Sequence, residues 1–208
     1  MVTTTYRSPL GDVSLSADGR GLTELRFAAD EHIGGALGVP AACFDMYRGA
    51  YQHPVSGATL EEIEGCDAVS GARSLNAGDP RNCAAVGVLE RTWAWLNAYF
   101  AGQDPQWVPP VHGAVDEAGH AVWVALLETR FGDTVSRASL LEHVHRRSLP
   151  ASMAIDGSGL SGALRACPIS IVIPVHRVVD LDWRDESAAR IAAALRTFEA
   201  DHGRTRRA

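Results

Sequence analysis

The chain has 208 residues, of which 46% are hydrophobic and 21% charged, a composition typical of a globular protein with one large domain or two small ones. Its 20 glycines and 10 prolines are too few for a disordered or collagen-like chain. No apolar run approaches the ~18 residues of a membrane span, and the first residues lack an apolar signal core. We therefore expect a cytoplasmic protein that does not enter membranes, with its four cysteines reduced.

The charge is unevenly distributed along the chain. All 19 basic residues are arginines. Residues 1–110 carry 7 arginines and 13 acidic residues, whereas residues 111–208 carry 12 of each. Neither half has the basic excess that supplies most of the affinity for a phosphate backbone, so the composition disfavours DNA as a partner.

The N-terminal half predicts a small sheet and one helix. Turn residues separate three alternating apolar runs, which predict strands over Thr3–Arg7, Val13–Ala17 and Leu22–Phe27. The pattern then weakens over residues 28–85, which we interpret as an insertion. Apolar residues at helical spacing predict a helix over Val88–Ala101.

The C-terminal half predicts a mainly helical unit. The spacing of apolar residues predicts helices over Asp116–Thr129, Arg137–Arg147 and Ser187–Ala200, the second of them capped by Thr134 or Ser136. It also favours a short helix over Pro150–Ile155, interrupted by the glycines of residues 157–162. The β-branched run Ile169–Ile173 predicts a buried strand or extended segment.

These elements predict an organisation in four parts. An α/β N-terminal domain would cover residues 1–102, with the insertion at about 28–85. A proline-containing linker would cover residues 103–114, a mainly α-helical domain residues 115–201, and a tail residues 202–208.

Four segments together resemble the O6-alkylguanine-DNA alkyltransferases, the methylated-DNA–protein-cysteine methyltransferases. The most specific is Pro-Ile-Ser-Ile-Val-Ile-Pro-Val-His-Arg-Val-Val, residues 168–179, which is similar to the family's active-site segment. The others are residues 6–27, the Leu-Asn-Ala-Tyr-Phe-Ala-Gly run at 96–102, and Val-Trp followed by Gly-Asp-Thr within 122–136. The resemblance implies an alkyltransferase-like fold with a helix-turn-helix, here degraded, in the C-terminal domain.

The resemblance also implies that the alkyl acceptor is missing. Family members transfer an alkyl group from guanine O6 to a cysteine thiolate between Pro and His, and Val175 occupies that position. A valine side chain has no lone pair, so the family reaction cannot occur there. This chain would be a divergent member.

Other positions of the DNA-binding and pocket segments also depart from the family. The alignment places Met153 at the arginine that replaces the flipped base, and Arg137 at the tyrosine that helps to rotate the nucleotide. Cys167 stands where the family has an asparagine. Residues 180–186, with Trp183, replace a glycine-containing pocket wall.

The retained His176 and Glu199 are the main catalytic candidates. A carboxylate can hold one imidazole tautomer and leave the other ring nitrogen as a base, although the pair could equally be structural. Cys167 is a candidate relocated nucleophile, or a small buried apolar residue. Val175, Arg137, Met153 and Trp183 would line the substrate pocket. We expect no cofactor and no metal site.

Two functions from different classes follow. The first is an enzyme acting on a small molecule, in specialised biosynthesis, that uses the former alkylguanine pocket with His176 as acid or base. The second is a non-enzymatic, alkyltransferase-like protein that binds DNA lesions during repair. The first is favoured by the charge balance and by Met153, which stands where the family has the arginine that replaces the flipped base.

Overall fold

A computed structural model describes residues 1–27, 80–113, 115–147, 155–183 and 185–205. Most of the predicted insertion lies outside these residues, as do Cys43 and Cys66.

The N-terminal strands form one antiparallel sheet in the order β1-β2-β3. They cover Val2–Ser8 (β1), Gly11–Ala17 (β2) and Leu22–Phe27 (β3). Residues of β1 are alternately buried and exposed, because successive side chains of a strand point to opposite faces. The three predicted strands are confirmed. Gly11, at φ 117°, makes the turn between β1 and β2 in a conformation that favours glycine.

A long helix, α1 (Pro80–Phe100), packs on this sheet. Its Leu96 is fully buried, and the hydroxyl of Tyr6 on β1 donates to Asn97 at 3.0 Å. The helix begins eight residues before the predicted start at Val88, so the end of the predicted insertion is helical.

The C-terminal part contains four helices and one 3-10 turn among the described residues. The helices are α2 (Glu117–Leu127), α3 (Arg137–Arg146), α4 (Gly157–Arg165) and α5 (Glu186–Thr205). The 3-10 turn covers Val175–Arg177. The helices predicted over Asp116–Thr129 and Arg137–Arg147 are confirmed, and the last helix extends five residues beyond its predicted end at Ala200.

The position of α4 corrects the sequence-based expectation. The glycine-containing residues 157–162 do not interrupt a helix but begin one, while Ile155 lies before it. Asp156 caps the helix by accepting from the backbone N–H of Gly159 at 2.7 Å. This cap and the burial of Leu160 and Leu164 outweigh the low helix propensity of glycine.

The segment between α4 and the 3-10 turn joins the two parts of the molecule. The sequence predicts a buried strand or an extended segment over Ile169–Ile173, and the structure has the second form, an extended and turning segment with isolated bridges. Within it, Ile171 has a φ of 72°, rare for a β-branched residue, and its side chain is buried. The N–H of Leu25 on β3 donates to the carbonyl of Pro168 at 2.8 Å.

Aromatic rings form the core between α1 and α5. Tyr99 contacts Phe100, Phe131 and Phe198 with ring centroids 5.2–5.7 Å apart. These contacts fix α5 against α1 and thereby position Glu199, one residue after Phe198. Within the described part of the chain, no helix combines the length and the apolar character needed to cross a membrane.

Candidate functional site

The site is built on the 3-10 turn that follows Pro174. All three turn residues are buried: Val175 is 3% exposed, His176 2% and Arg177 9%. Helix α5 packs against this turn and brings in Glu199, which is 23 residues from His176 in sequence.

The carboxylate of Glu199 accepts five hydrogen bonds. Its Oε1 accepts from Tyr99 at 2.9 Å, from Nε2 of His176 at 2.8 Å and from Nη2 of Arg177 at 2.9 Å. Its Oε2 accepts from Nε of Arg177 at 2.8 Å and from the backbone N–H of Gly132 at 3.1 Å. Every polar contact of the carboxylate is therefore with a donor, as an ionised group requires.

Electrostatics keep Glu199 ionised. Burial raises the pKa of this carboxyl, but the hydrogen bonds from His176 and Arg177 and the guanidinium charge outweigh that effect and lower the pKa to about 2. An ionised carboxylate only accepts, so Nε2 of His176 must carry the proton and Nδ1 must carry the lone pair.

Nδ1 of His176 is the unusual atom of the site. It is buried and has no hydrogen-bond partner among the described residues. Burial lowers the pKa of His176 below its usual value, despite the opposing effect of Glu199, so the ring is neutral near pH 7. The site therefore contains a buried, unoccupied acceptor on the residue next to Val175.

Arg177 braces the turn. Besides its paired contacts with Glu199, its Nη1 donates to the backbone carbonyl of Thr129. A buried guanidinium needs such acceptors, and these connect the turn to α5 and to the end of α2.

Cys167 lies just beyond the end of α4, and its side chain is partly buried. Burial raises the pKa of its thiol to about 11, although a hydrogen bond with the backbone of Ile169 acts in the opposite direction. The thiol is therefore protonated near pH 7, which argues against its use as a nucleophile because the thiolate is the reactive form.

Arg137, at the start of α3, is held by its neighbours. Its Nη1 donates to the hydroxyl of Ser161 on α4 at 3.1 Å, and its Nε lies 3.7 Å from Oδ2 of Asp180. The backbone N–H of Arg137 also donates to Asp180 at 2.7 Å. These contacts give Arg137 a role in joining α3, α4 and the residues after the turn.

Of the other two predicted pocket residues, the structure describes only Trp183. Trp183 is half-buried and packs against the edge of the hydrophobic core. Met153 lies outside the described residues.

Two contributors to the site were missed by sequence reasoning. Tyr99 donates to Glu199 from α1, and Gly132 donates through its backbone from the loop after α2. Tyr99 lies in the Leu-Asn-Ala-Tyr-Phe-Ala-Gly run that carries part of the resemblance. That run could have indicated Tyr99 as a site residue. Gly132 likewise begins the Gly-Asp-Thr run that forms part of the resemblance, but that run did not indicate a contact with Glu199.

Acidic side chains occupy the N-termini of α3 and α4. Asp180 accepts from the N–H of Arg137, and Asp156 accepts from the N–H of Gly159. Helix N-termini are common phosphate-binding positions, so phosphate would have to displace these carboxylates. The described residues of α3, α4, Asp156 and 180–186 include three arginines and six acids, namely Glu142, Asp156, Asp180, Asp182, Asp185 and Glu186.

No family model matches the chain. Two curated proteins are similar to it over about half its length. The DNA base-flipping protein of Thermus thermophilus is 29% identical over 108 residues, which are 50% of this chain and 67% of that protein. The methylated-DNA–protein-cysteine methyltransferase of Mus musculus is 32% identical over 101 residues, 45% of this chain and 44% of that protein. The matches thus span about two thirds of the first relative and less than half of the second.

Solved structures of the same class have a similar fold. The Mycobacterium tuberculosis O6-methylguanine methyltransferase gives a TM-score of 0.55 at 23% identity, covering 97% of this chain and 94% of the other. M. tuberculosis OGT in complex with DNA gives a TM-score of 0.54 at 20% identity, covering 96% and 93%. The predicted alkyltransferase-like fold, with an α/β N-terminal part and a helical C-terminal part, is confirmed.

Proposed function

We propose that this chain, which has the fold of the O6-alkylguanine-DNA alkyltransferases, has lost alkyl transfer and works on a small organic molecule. The ligand would bind beside Val175 and donate an N–H or O–H to Nδ1 of His176. Proton transfer at this nitrogen is the reaction that the site favours.

The unpartnered Nδ1 of His176 carries this proposal. A buried acceptor without a hydrogen bond costs about 1–3 kcal/mol, so a polar group that enters the site is favoured. The Nε2–Glu199 contact fixes the tautomer that leaves the lone pair on Nδ1.

The same arrangement supports a balanced proton-transfer step. A donor on the ligand would give its proton to Nδ1, leaving its electron pair on the ligand. The resulting imidazolium, with N–H groups on both nitrogens, would be stabilised by the Glu199 carboxylate and would return the proton to the ligand later. No oxidant, metal or thiol enters this scheme, and the raised pKa of Cys167 accords with its exclusion.

The electrostatics around α3 and α4 favour a small ligand over DNA. Carboxylates cap both helix N-termini, and acids outnumber arginines among the described residues nearby. Arginine-poor surfaces lack the phosphate contacts from which most non-specific DNA affinity arises.

Binding measurements test this proposal with O6-methylguanine as the probe. We expect the free base to bind at sub-millimolar concentration, and His176→Gln to weaken it at least tenfold, since the amide can still donate to Glu199 but the imidazole acceptor is lost. His120→Gln, on the exposed face of α2, is the control. Absence of binding by the folded wild type, or equal binding by H176Q, would contradict the proposal.

Binding of DNA lesions without transfer is the second candidate, favoured by the similarity to the Thermus DNA base-flipping protein. A fluorescent duplex carrying one O6-methylguanine, compared with an undamaged duplex over a salt series, separates the two functions. The small-molecule proposal expects no lesion-selective binding at micromolar protein. Nanomolar, lesion-selective affinity would establish the second candidate instead.

A further inference from the structure

An open cavity lies beside the 3-10 turn. It has a volume of about 270 Å³ and is lined by linker residues 104–108, residues 127–131 at the end of α2, and residues of the 171–177 segment. Val175 and His176 are not among its lining residues, whereas Tyr99 and Arg177, which donate to Glu199, form the wall that it shares with the candidate site above.

The walls of this cavity combine polar groups with three exposed apolar side chains. Trp107 is 43% exposed, Val108 42% and Leu127 37%, and these are three of the five large apolar side chains that are exposed among the described residues. The backbone of Trp107 is held in place, because Nε1 of Trp95 donates to its carbonyl at 2.8 Å. The indole ring is thus presented at the cavity by a fixed backbone, as an aromatic ligand platform requires.

Two opposite charges stand on different walls of the cavity. Asp104 lies on the linker and Arg130 on the loop after α2, and neither side chain has a hydrogen bond or ion pair within the described part of the chain. The other charges are already engaged: Glu128 with His143 and Arg147, and Arg177 with Glu199. The cavity is therefore lined, among the described residues, by one unpaired carboxylate, one unpaired guanidinium and an indole ring.

We propose that this cavity binds a free aromatic α-amino acid. The ring would lie against Trp107 and Leu127, the carboxylate would pair with Arg130, and the ammonium would pair with Asp104. A single zwitterion satisfies both charges, which do not pair with each other. The volume also suits a free amino acid. Such a ligand is smaller than the drug-sized ligands that occupy pockets of roughly 300–1,000 Å³, and the cavity is slightly smaller than those pockets.

Calorimetric titration of the full chain with L-tryptophan and two analogues tests the proposal. Tryptamine lacks the carboxylate and indole-3-propionate lacks the ammonium. We expect L-tryptophan to bind at sub-millimolar concentration and each analogue to bind at least tenfold more weakly, since each loses one charge-assisted contact.

Two charge variants distinguish the expected pose from a non-specific contact. Arg130→Gln should weaken L-tryptophan and indole-3-propionate but leave tryptamine unchanged. Asp104→Asn should weaken L-tryptophan and tryptamine but leave indole-3-propionate unchanged. Arg20→Gln and Asp12→Asn, exposed at turns of the N-terminal sheet, are the matched controls.

Each remaining outcome counts against the amino-acid site. Absence of L-tryptophan binding, or binding that both charge variants leave unchanged, would overturn it. Preference for either analogue over L-tryptophan would show that the two charges do not act together. The variants at Asp104 and Arg130 change no residue that contacts His176 or Glu199, so failure of this proposal can be distinguished from failure of the function proposed for the first site.

Discussion

Nε2 of His176 donates to Oε1 of Glu199 at 2.8 Å, while the residue before this histidine is the aliphatic Val175. The His176–Glu199 pair is thus intact, but the neighbouring valine has no proton that the histidine could remove. A single substitution can test whether the rest of the ancestral site is still able to function.

Val175→Cys places a thiol next to His176. We expect this variant to be alkylated by a fluorescent O6-benzylguanine: sulfur forms a bond to the benzyl carbon, the bond from that carbon to O6 breaks, and guanine leaves with a proton. The two side chains are close in size, so the variant should lose about 1 kcal/mol of stability or less. Intact-protein mass spectrometry measures the adduct.

Val175→Ser is the control for this experiment, since it brings a polar atom of similar size but no thiol. Wild type and the serine variant should remain unlabelled. A folded cysteine variant that also stays unlabelled would mean that the pocket no longer admits alkylguanine, and the former active site could not be the ligand site proposed above.

Glu199→Gln should be strongly destabilising. It removes the negative charge that faces the buried guanidinium of Arg177, and breaking a buried ion pair costs about 3–5 kcal/mol. Urea unfolding measures the loss. Glu186→Gln, exposed at the start of the same helix, should change stability by less than about 0.5 kcal/mol. Equal effects of the two substitutions would refute a structural role for the Glu199 network.

The stability of the protein should fall as the pH is lowered below about 6.5. Burial lowers the pKa of His176 in the folded state, so below the ordinary value of 6.5 the unfolded chain binds a proton that the folded protein does not. One such proton corresponds to about 1.4 kcal/mol per pH unit. Glu199 adds a second loss between pH 4.5 and its folded pKa of about 2.

Unfolding free energies of wild type and His176→Gln between pH 7.5 and 5 isolate the histidine contribution. The wild type should show the steeper loss, whereas His120→Gln should keep the wild-type slope. Nitrogen-15 NMR of the histidine rings provides an independent measurement: at pH 6.5 the neutral form of His176, with the proton on Nε2, should predominate. A protonated ring there would contradict the assigned environment.

Cys167 should react slowly with thiol reagents. Its raised pKa keeps the thiol protonated, whereas Cys83 is exposed on α1. With iodoacetamide at pH 7.5, peptide mapping should find Cys83 modified well before Cys167. The opposite order would support Cys167 as a nucleophile. Cys167→Ser would then be expected to abolish turnover of any substrate found.

The N-terminal sheet could be predicted from sequence because its strands and turns depend on residues that are close together in the chain. Alternating burial along β1 and the turn at Gly11 both have direct sequence signals. Helix α4 could not be predicted, because its glycines have low helix propensity and the cap at Asp156 and the packing of Leu160 decide the outcome.

The candidate site was partly predictable for a similar reason. His176 and Glu199 could be found from the resemblance, which identifies residues by pattern. The donors from Tyr99 and Gly132, and the orphaned Nδ1 of His176, depend on how α1, α5 and the loop after α2 meet in space. No local pattern encodes such long-range contacts.

The backbone pairing that crosses the linker bears on how the molecule folds. Leu22 exchanges two hydrogen bonds with the linker, to Pro110 at 2.7 Å and from His112 at 2.8 Å, and Leu25 binds Pro168 directly. A chain cut within the linker would leave these amides and carbonyls exposed to solvent. We therefore predict that the two parts stabilise each other, and that thermal melting proceeds through one cooperative transition shared by the sheet and the residues leading to Val175.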